Sequence, residues 1–135
     1  STTKPSYSVN ASSSDIKNIF NMVNKERTSN GLKKYAYRND LQKAADKRAK
    51  EIAEKFSHTR PNGTACFTAI KEAGVSYSTA GENIGQTNGS VSDMMDWWMN
   101  SADHKNNILA TKFTGIVVGY YQQGNVKYYV QLFVG

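Results

Sequence analysis

The hydrophobic period of the sequence changes once, near residue 110, and this change limits the fold more than any other feature. Before it, apolar residues recur at helical spacing, as in Ile16, Ile19, Phe20 and Val23. After it, residues 113–121 and 126–134 are rich in β-branched and aromatic residues, and the turn sequence Gln123-Gly124-Asn125 separates them. Helices followed by an antiparallel hairpin, with at most one more strand near residues 75–86, predict an α+β fold rather than repeated β-α-β units.

The second predicted helix begins at Asp40, a good N-cap residue, and ends at Phe56-Ser57-His58. Its apolar side is rich in alanine, which predicts a close approach to another element. One charged residue, Arg48, falls on that same side.

Three shorter helices are predicted after it. The first starts with Thr64 as its cap and closes at Gly74, and the second opens at Ser90 with Asp93 in a capping box. Ser101 is the predicted cap of the third, which carries His104.

The 135 residues are enough for one domain. We expect a flexible tail or linker over residues 1–13, which are polar and lack periodicity, and a folded domain over residues 14–135. No stretch reaches the roughly 18 to 20 apolar residues that a membrane span requires. A single cysteine, Cys66, excludes an internal disulfide framework.

The charge is uneven along the chain, whose net charge is +6. Residues 1–60 hold thirteen basic and six acidic side chains, whereas residues 61–135 hold four basic and five acidic ones. A basic half can attract nucleic acid, anionic lipid or an anionic cell-wall polymer, but a solvated lysine-rich helix face is the favoured explanation of the excess. The basic residues do not alternate with aromatic ones as in single-strand-binding proteins, so no nucleic acid is expected as a partner.

Few residues are candidates for chemistry. The two histidines, His58 and His104, lie at helical ends, and Glu82 lies between Gly81 and Gly85. Two neutral imidazoles and one carboxylate can hold a divalent metal, or the carboxylate can fix the tautomer of one imidazole and make it a general base. A buried polar network that ties three loops together accounts for the same residues without any chemistry.

Two other groups rank lower. Cys66 near a helix N-terminus admits a cysteine hydrolase, but its apolar neighbours favour a packed thiol. The spacing of a buried helix face is seen in Met94, Met95 and Trp98. Of the two remaining large apolar residues, Trp97 and Met99, one is expected to be exposed.

Four segments in order resemble the CAP superfamily, also called the SCP-like or cysteine-rich secretory protein, antigen 5 and pathogenesis-related 1 group. They are His58-Thr59-Arg60-Pro61-Asn62-Gly63, Gly81-Glu82-Asn83-Ile84, residues 98–109 (WMNSADHKNNIL) and Tyr129-Val130-Gln131-Leu132-Phe133. In its lack of disulfides the chain resembles the bacterial members of this superfamily. The resemblance implies a three-layer α-β-α sandwich with a small, mainly antiparallel sheet, in a secreted or cell-surface protein.

The resemblance also implies a cleft with two histidines and two acids. His58, Glu82 and His104 match three of these, whereas Ser101 stands where eukaryotic members often carry the second acid. The expected ligand-binding cleft is therefore His58, Glu82, His104, Ser101 and Gln131, with His58 and His104 as the metal ligands if zinc or another divalent ion binds. No cofactor is required by this interpretation.

The sequence leaves three functions open. The first is a non-enzymatic extracellular module that binds a ligand or partner, such as an anionic cell-wall polymer or glycan. The second is a metal-dependent, peptidase-like hydrolase, with His58, Glu82 and His104 as catalytic candidates. The third is a structural adaptor at the cell surface.

Overall fold

A computed structural model of the protein describes the backbone of residues 4–135 and the side chains of residues 14–135. The expected tail or linker over residues 1–13 stays a prediction, because residues 1–3 lie outside the described part and residues 4–13 are described only as backbone of the first helix. The described elements, in chain order, are α1 (Lys4–Ser29), β1 (Ala36–Tyr37), a 3-10 turn (Asn39–Leu41), α2 (Gln42–Glu54), α3 (Thr68–Glu72), β2 (Ala80–Thr87), α4 (Val91–Met99), α5 (Ala102–Ile108), β3 (Gly115–Gln123) and β4 (Val126–Val134).

The strands form one sheet in the order β1-β3-β4-β2. The hairpin predicted at the end of the chain is confirmed: β3 and β4 pair antiparallel at the centre, and Gly124 takes the positive φ of 61° that their turn requires. Strand β2 pairs antiparallel with β4, and the two-residue β1, which the sequence did not indicate, pairs parallel with β3. Strand β2 therefore lies at an edge of the sheet.

Helices cover both faces of this sheet, which confirms the predicted α+β, three-layer sandwich. Helices α1, α4 and α5 pack on one face, where buried residues such as Ile19, Trp98, Ile108 and Phe133 form one core cluster. Helices α2 and α3 cover the other face, where the second cluster includes Leu41, Ala45, Ile70, Val117 and Leu132. Successive side chains of β4 alternate between the two clusters, as the pleat of a strand requires.

The alanine-rich side of α2 lies directly against the sheet, as predicted. Ala45 and Ala49 are fully buried, and a Cβ added at Gly119 of β3 would overlap the backbone carbonyl of Ala45. The small residues on both elements therefore let the helix backbone approach the strand closely.

Several predicted helix ends need correction. Asp40 does not cap α2: its carboxylate binds the Arg38 guanidinium at 2.7 and 2.9 Å, and a 3-10 turn precedes the helix. Helix α2 ends at Glu54, before Phe56. Helix α3 starts at Thr68 rather than Thr64, because the Thr64 amide is held by the Asn62 side chain in the preceding turn.

Other ends agree with the sequence. Gly74 has a φ of 77° after α3, and the capping box of Ser90 and Asp93 opens α4. Ser101 stands at the N-cap of α5, but its side chain makes no capping hydrogen bond.

Candidate functional site

Edge strand β2 carries the residues that connect the two helical layers at the candidate site. Glu82 faces α2, where Arg48 contacts its carboxylate, and Asn83 faces α5, where its Nδ2 donates to the carbonyl oxygen of His104 at 3.0 Å. Because adjacent residues of a strand point to opposite faces, one dipeptide at the sheet edge reaches both layers.

Both oxygens of the Glu82 carboxylate are engaged. Arg48 donates from Nε to Oε2 at 2.8 Å and from Nη2 to Oε1 at 3.0 Å. The exposed fractions of the two side chains are 0% for Arg48 and 1% for Glu82. Arg48 also donates to the Glu51 carboxylate at 2.9 Å and to the carbonyl of Ser57 at 2.9 Å, which fixes the chain just before His58.

The His58 ring is oriented by Glu82. Its Nδ1 lies 2.8 Å from Oε1 of Glu82. An ionised carboxylate can only accept, so Nδ1 carries the proton and the Nε2 of the neutral ring is left as an acceptor. With 58% of the His58 side chain exposed, this ring presents its other edge to solvent.

His104 approaches from the opposite layer and is half-buried. Its ring packs against Trp97, with 4.9 Å between ring centroids, and its Nδ1 is buried without a hydrogen-bond partner. Burial lowers the pKa of His104, a proton on the His58 ring would lower it further, and Asp103 partly opposes both. His58 contacts Glu82 and the His104 backbone contacts Asn83, so both histidines are attached to adjacent residues of the same edge strand, and we refer to the surface between them as the cleft.

The other two predicted cleft residues differ from each other. Ser101 is half-buried at the junction of α4 and α5. Gln131 is fully buried: its Oε1 accepts from Nδ2 of Asn83 at 2.9 Å, and its Nε2 has no partner. The structure therefore places Gln131 behind Asn83 rather than on the exposed lining, and any part it has in binding stays a prediction.

Two buried arginines support the site, and neither was predicted from the sequence to do so. Arg60, two residues after His58, binds both oxygens of Glu51 and also contacts Thr68 and Glu72, so it ties the His58 loop to α2 and α3. The position of Arg48 on the alanine-rich side of α2 was a usable signal, because an arginine on a buried face requires a buried acid.

Cys66 lies beside the His58–Glu82 contact, where its sulfur, a His58 ring nitrogen and a Glu82 oxygen are within 4.8 Å of one another. Burial, with the negative charge of Glu82, raises the pKa of the Cys66 thiol to about 12. A metal bound here would have to displace the thiol proton and compete with Arg48 for the Glu82 carboxylate.

The predicted metal ligands are the two imidazoles, and each has one feature typical of such a ligand. His58 has a carboxylate on Nδ1, the arrangement that commonly orients a metal-binding histidine, and His104 has a ring nitrogen without a partner. A metal would be held by these two rings, and Glu82 would orient His58 rather than bind the ion itself.

The protein is an α-β-α sandwich, with a small, mainly antiparallel sheet between two helical layers. Two histidines and a buried glutamate lie at one edge of that sheet, which is the arrangement of sandwich proteins with a polar cleft. The chain belongs to the cysteine-rich secretory protein (CAP) family, whose family model matches residues 20–133. The family membership inferred from the four sequence segments is thereby confirmed.

Relatives with known sequence include YkwD of Bacillus subtilis (strain 168), which is 36% identical over 121 residues, covering 88% of this chain and 46% of YkwD. The membrane protein YlbC of the same strain is 27% identical over 120 residues, covering 87% of this chain and 34% of YlbC. The chain thus spans less than half the length of these curated relatives.

Solved structures with the same fold include an extracellular protein containing an SCP domain from Bacillus anthracis, with a TM-score of 0.88 and 26% identity over 99% of this chain and 44% of that one. An outer surface protein of Borrelia burgdorferi has a TM-score of 0.78 and 22% identity, covering 90% of this chain and 92% of its own. Within the described residues of the present chain, no helix is both long and apolar enough to cross a bilayer.

Proposed function

We propose that this CAP domain is a non-enzymatic binding module whose ligand occupies the cleft between His58 and His104. The observation that carries the proposal is the engagement of Glu82, whose two oxygens accept from Arg48 and His58. A carboxylate held by a buried guanidinium is poorly suited to take a proton from a substrate, because its negative charge is already stabilised. Glu82 is better suited to hold His58 in place.

The groups that could act as nucleophiles near the cleft support the same proposal. Cys66 is protonated at neutral pH, since the pKa of its thiol is raised to about 12. The Ser57 hydroxyl accepts from the backbone amide of Thr59 at 3.0 Å and has no imidazole partner among the described contacts.

The proposed place of action is outside the cell. Support comes from the solved relatives, one described as an extracellular protein and another as an outer surface protein. The excess of basic residues over residues 1–60 favours an anionic wall polymer or a glycan attached to one as the partner, because such polymers attract a basic surface at moderate ionic strength.

A pull-down with purified bacterial cell wall tests this proposal. We expect the wild type to bind and the binding to weaken as salt rises. His58→Ala/His104→Ala should bind less, whereas Gln86→Ala/Gln123→Ala, which alters two exposed polar side chains elsewhere, should bind as the wild type does. Equal binding by the histidine variant would reject the cleft as the binding site.

A metal-dependent hydrolase is the second candidate, and the His58–Glu82 contact together with the unpartnered Nδ1 of His104 favours it. Calorimetric titration with zinc distinguishes the two functions. The hydrolase requires zinc binding that is lost in His58→Ala/His104→Ala, together with zinc-dependent cleavage of a peptide substrate. Equal zinc affinity in both proteins would remove the proposed metal site.

A structural adaptor is the third candidate, favoured by the greater length of the curated relatives. An adaptor would attach to neighbouring modules through surfaces outside the cleft. It would therefore retain its association with the wall in the His58→Ala/His104→Ala variant.

A further inference from the structure

Two large apolar side chains are exposed among the described residues, and one of them, Trp97, contacts a cleft histidine. We propose that Trp97 is a stacking platform for the ring of an uncharged saccharide, with the hydroxyl or amide groups of that sugar reaching into the cleft. This inference rests on the proposed binding function and names its ligand class.

The Trp97 ring is held in place before any ligand arrives. The next residue, Trp98, is fully buried, and its Nε1 donates to the carbonyl of Ile84 on β2 at 3.1 Å, which fixes α4 on the sheet edge. Adjacent residues of a helix point about 100° apart, so anchoring Trp98 inward directs Trp97 outward. Its ring packs against His104 at an interplanar angle of 40°, while half of the side chain remains exposed. A rigid aromatic surface binds at a low entropic cost.

The surroundings of Trp97 on α4 are polar. Asp93 and Asn100, four residues before and three after, share its helix face and are exposed, whereas Met94 and Met95 are buried. The exposed apolar surface is therefore about one ring wide. This fits the C–H face of a sugar with polar groups around its rim better than a lipid chain, which requires a continuous apolar groove.

The local charge selects against an anion at this position. Residues 90–110 contain Asp93, Asp96 and Asp103 but one lysine, Lys105. The basic residues that would attract a polyanion lie instead in the first 60 residues. An uncharged sugar of a wall glycan, such as an N-acetylhexosamine, matches both the ring and the charge.

Two hydrogen-bonding groups of the predicted cleft are available to meet such a sugar. The Ser101 side chain makes no capping bond to α5, and the Nε2 of His58 is an acceptor directed away from Glu82. The saccharide would thus stack on Trp97 and place polar groups toward Ser101 and the two imidazoles.

The test is a titration of the protein with the β-1,4-linked tetramer of N-acetylglucosamine, followed by tryptophan fluorescence and calorimetry. We expect the exposed Trp97 to shift its emission to the blue on binding, and the affinity to be the same at low and high sodium chloride because the sugar is uncharged. Trp97→Ala should weaken binding about tenfold or more, whereas Trp97→Phe, which keeps a ring, should remain within about threefold of the wild type.

Phe56→Ala is the matched control, since Phe56 is the other exposed large apolar side chain. The Phe56→Ala variant should bind the tetramer as the wild type does. An equal loss of tetramer affinity in Trp97→Ala and Phe56→Ala would mean non-specific apolar adsorption and would overturn the proposal. Absence of tetramer binding, with cleft-dependent wall binding retained, would overturn the saccharide inference alone. If the His58→Ala/His104→Ala variant bound cell wall as well as the wild type does, the proposed function itself would be overturned. Binding of neutral lipid vesicles that requires Trp97, without tetramer binding, would assign the ring to a membrane surface and also overturn it.

Discussion

Arg48 and Glu82 form a two-point ion pair between α2 and edge strand β2, with the exposed fraction of each side chain at 1% or less. The pair neutralises the one acid that contacts a described cleft histidine, so a neutral His58 can donate to Glu82 from Nδ1. This arrangement gives the site a fixed histidine without a free carboxylate, which is the physical basis for preferring binding over hydrolysis.

Removing one partner of this pair should be costly. We expect Arg48→Met to lower the free energy of unfolding by about 3–5 kcal/mol, because it leaves a buried carboxylate without its cation. Arg48→Met/Glu82→Leu should recover much of that loss, since it removes both charges. Urea unfolding of the wild type and the variants measures these values.

The matched control for this substitution is Arg38→Met. Arg38 also makes a two-point contact with an acid, Asp40, but the exposed fractions there are 31% and 51%. Its loss should cost less than about 1 kcal/mol, because exposed pairs are screened by solvent. Similar losses in Arg38→Met and Arg48→Met would contradict the role assigned to burial.

The lowered pKa of His104 predicts a pH dependence of stability. Burial disfavours the imidazolium of His104 in the folded protein, and so does His58 once that ring is protonated. Between the unfolded value of about 6.5 and the lower folded value, the unfolded chain binds more protons, so stability falls as pH falls through this window and levels off below it. The difference in unfolding free energy between wild type and His104→Gln, measured from neutral to acidic pH in EDTA, isolates this contribution.

The neighbours of His104 provide the check. Asp103→Asn should lower the pKa of His104 further, since it removes a stabilising negative charge. His58→Gln should raise it, since it removes a ring that repels the imidazolium when both are protonated in acid. Proton NMR titration of the ring gives both directions. If neither substitution changed the pKa of His104, the two rings would not share one cleft.

The raised pKa of Cys66 predicts an unreactive thiol. With a pKa of about 12, the thiolate fraction at pH 8 is on the order of one in ten thousand, and the side chain is 3% exposed. Ellman's reagent should therefore label the folded protein very slowly and the guanidinium-unfolded protein rapidly. Rapid stoichiometric labelling of the folded protein at pH 8 would show that Cys66 is accessible and would reopen the cysteine-hydrolase interpretation.

The sequence predicted the elements of the fold better than their ends. The hairpin was predictable because Gly124 and the flanking β-rich segments act locally. The start of α2 was not, because Asp40 has two local options, to cap the helix or to bind Arg38, and the structure has the second. Strand β1 was missed because two residues carry no period, and its pairing with β3 is set by tertiary structure.

The sequence selected candidate site residues but did not indicate the contacts that these residues make. His58, Glu82 and His104 could be selected by the family resemblance, and one of Trp97 and Met99 was expected to be exposed. The pairing of Arg48 with Glu82 spans 34 positions, and no periodicity links residues so far apart. The full burial of Gln131 likewise depends on its place in β4, at the centre of the sheet and beneath Asn83.

The close approach of α2 to β3 predicts a strong effect of one added methyl group. Gly119→Ala places a Cβ against the backbone carbonyl of Ala45, which cannot move without displacing the helix, so we expect a loss of about 3 kcal/mol or more of unfolding free energy. Gly115→Ala in the same strand meets Cγ of the Arg38 side chain at 2.8 Å, which can shift more easily than a helix backbone, so its loss should be clearly smaller than that of Gly119→Ala. Thermal and urea unfolding of both variants measure the difference. Since α2 also carries Arg48, Gly119→Ala should in addition loosen the Arg48–Glu82 pair and weaken binding at the cleft. Equal stability of the two alanine variants would show that α2 does not pack against β3 at Gly119.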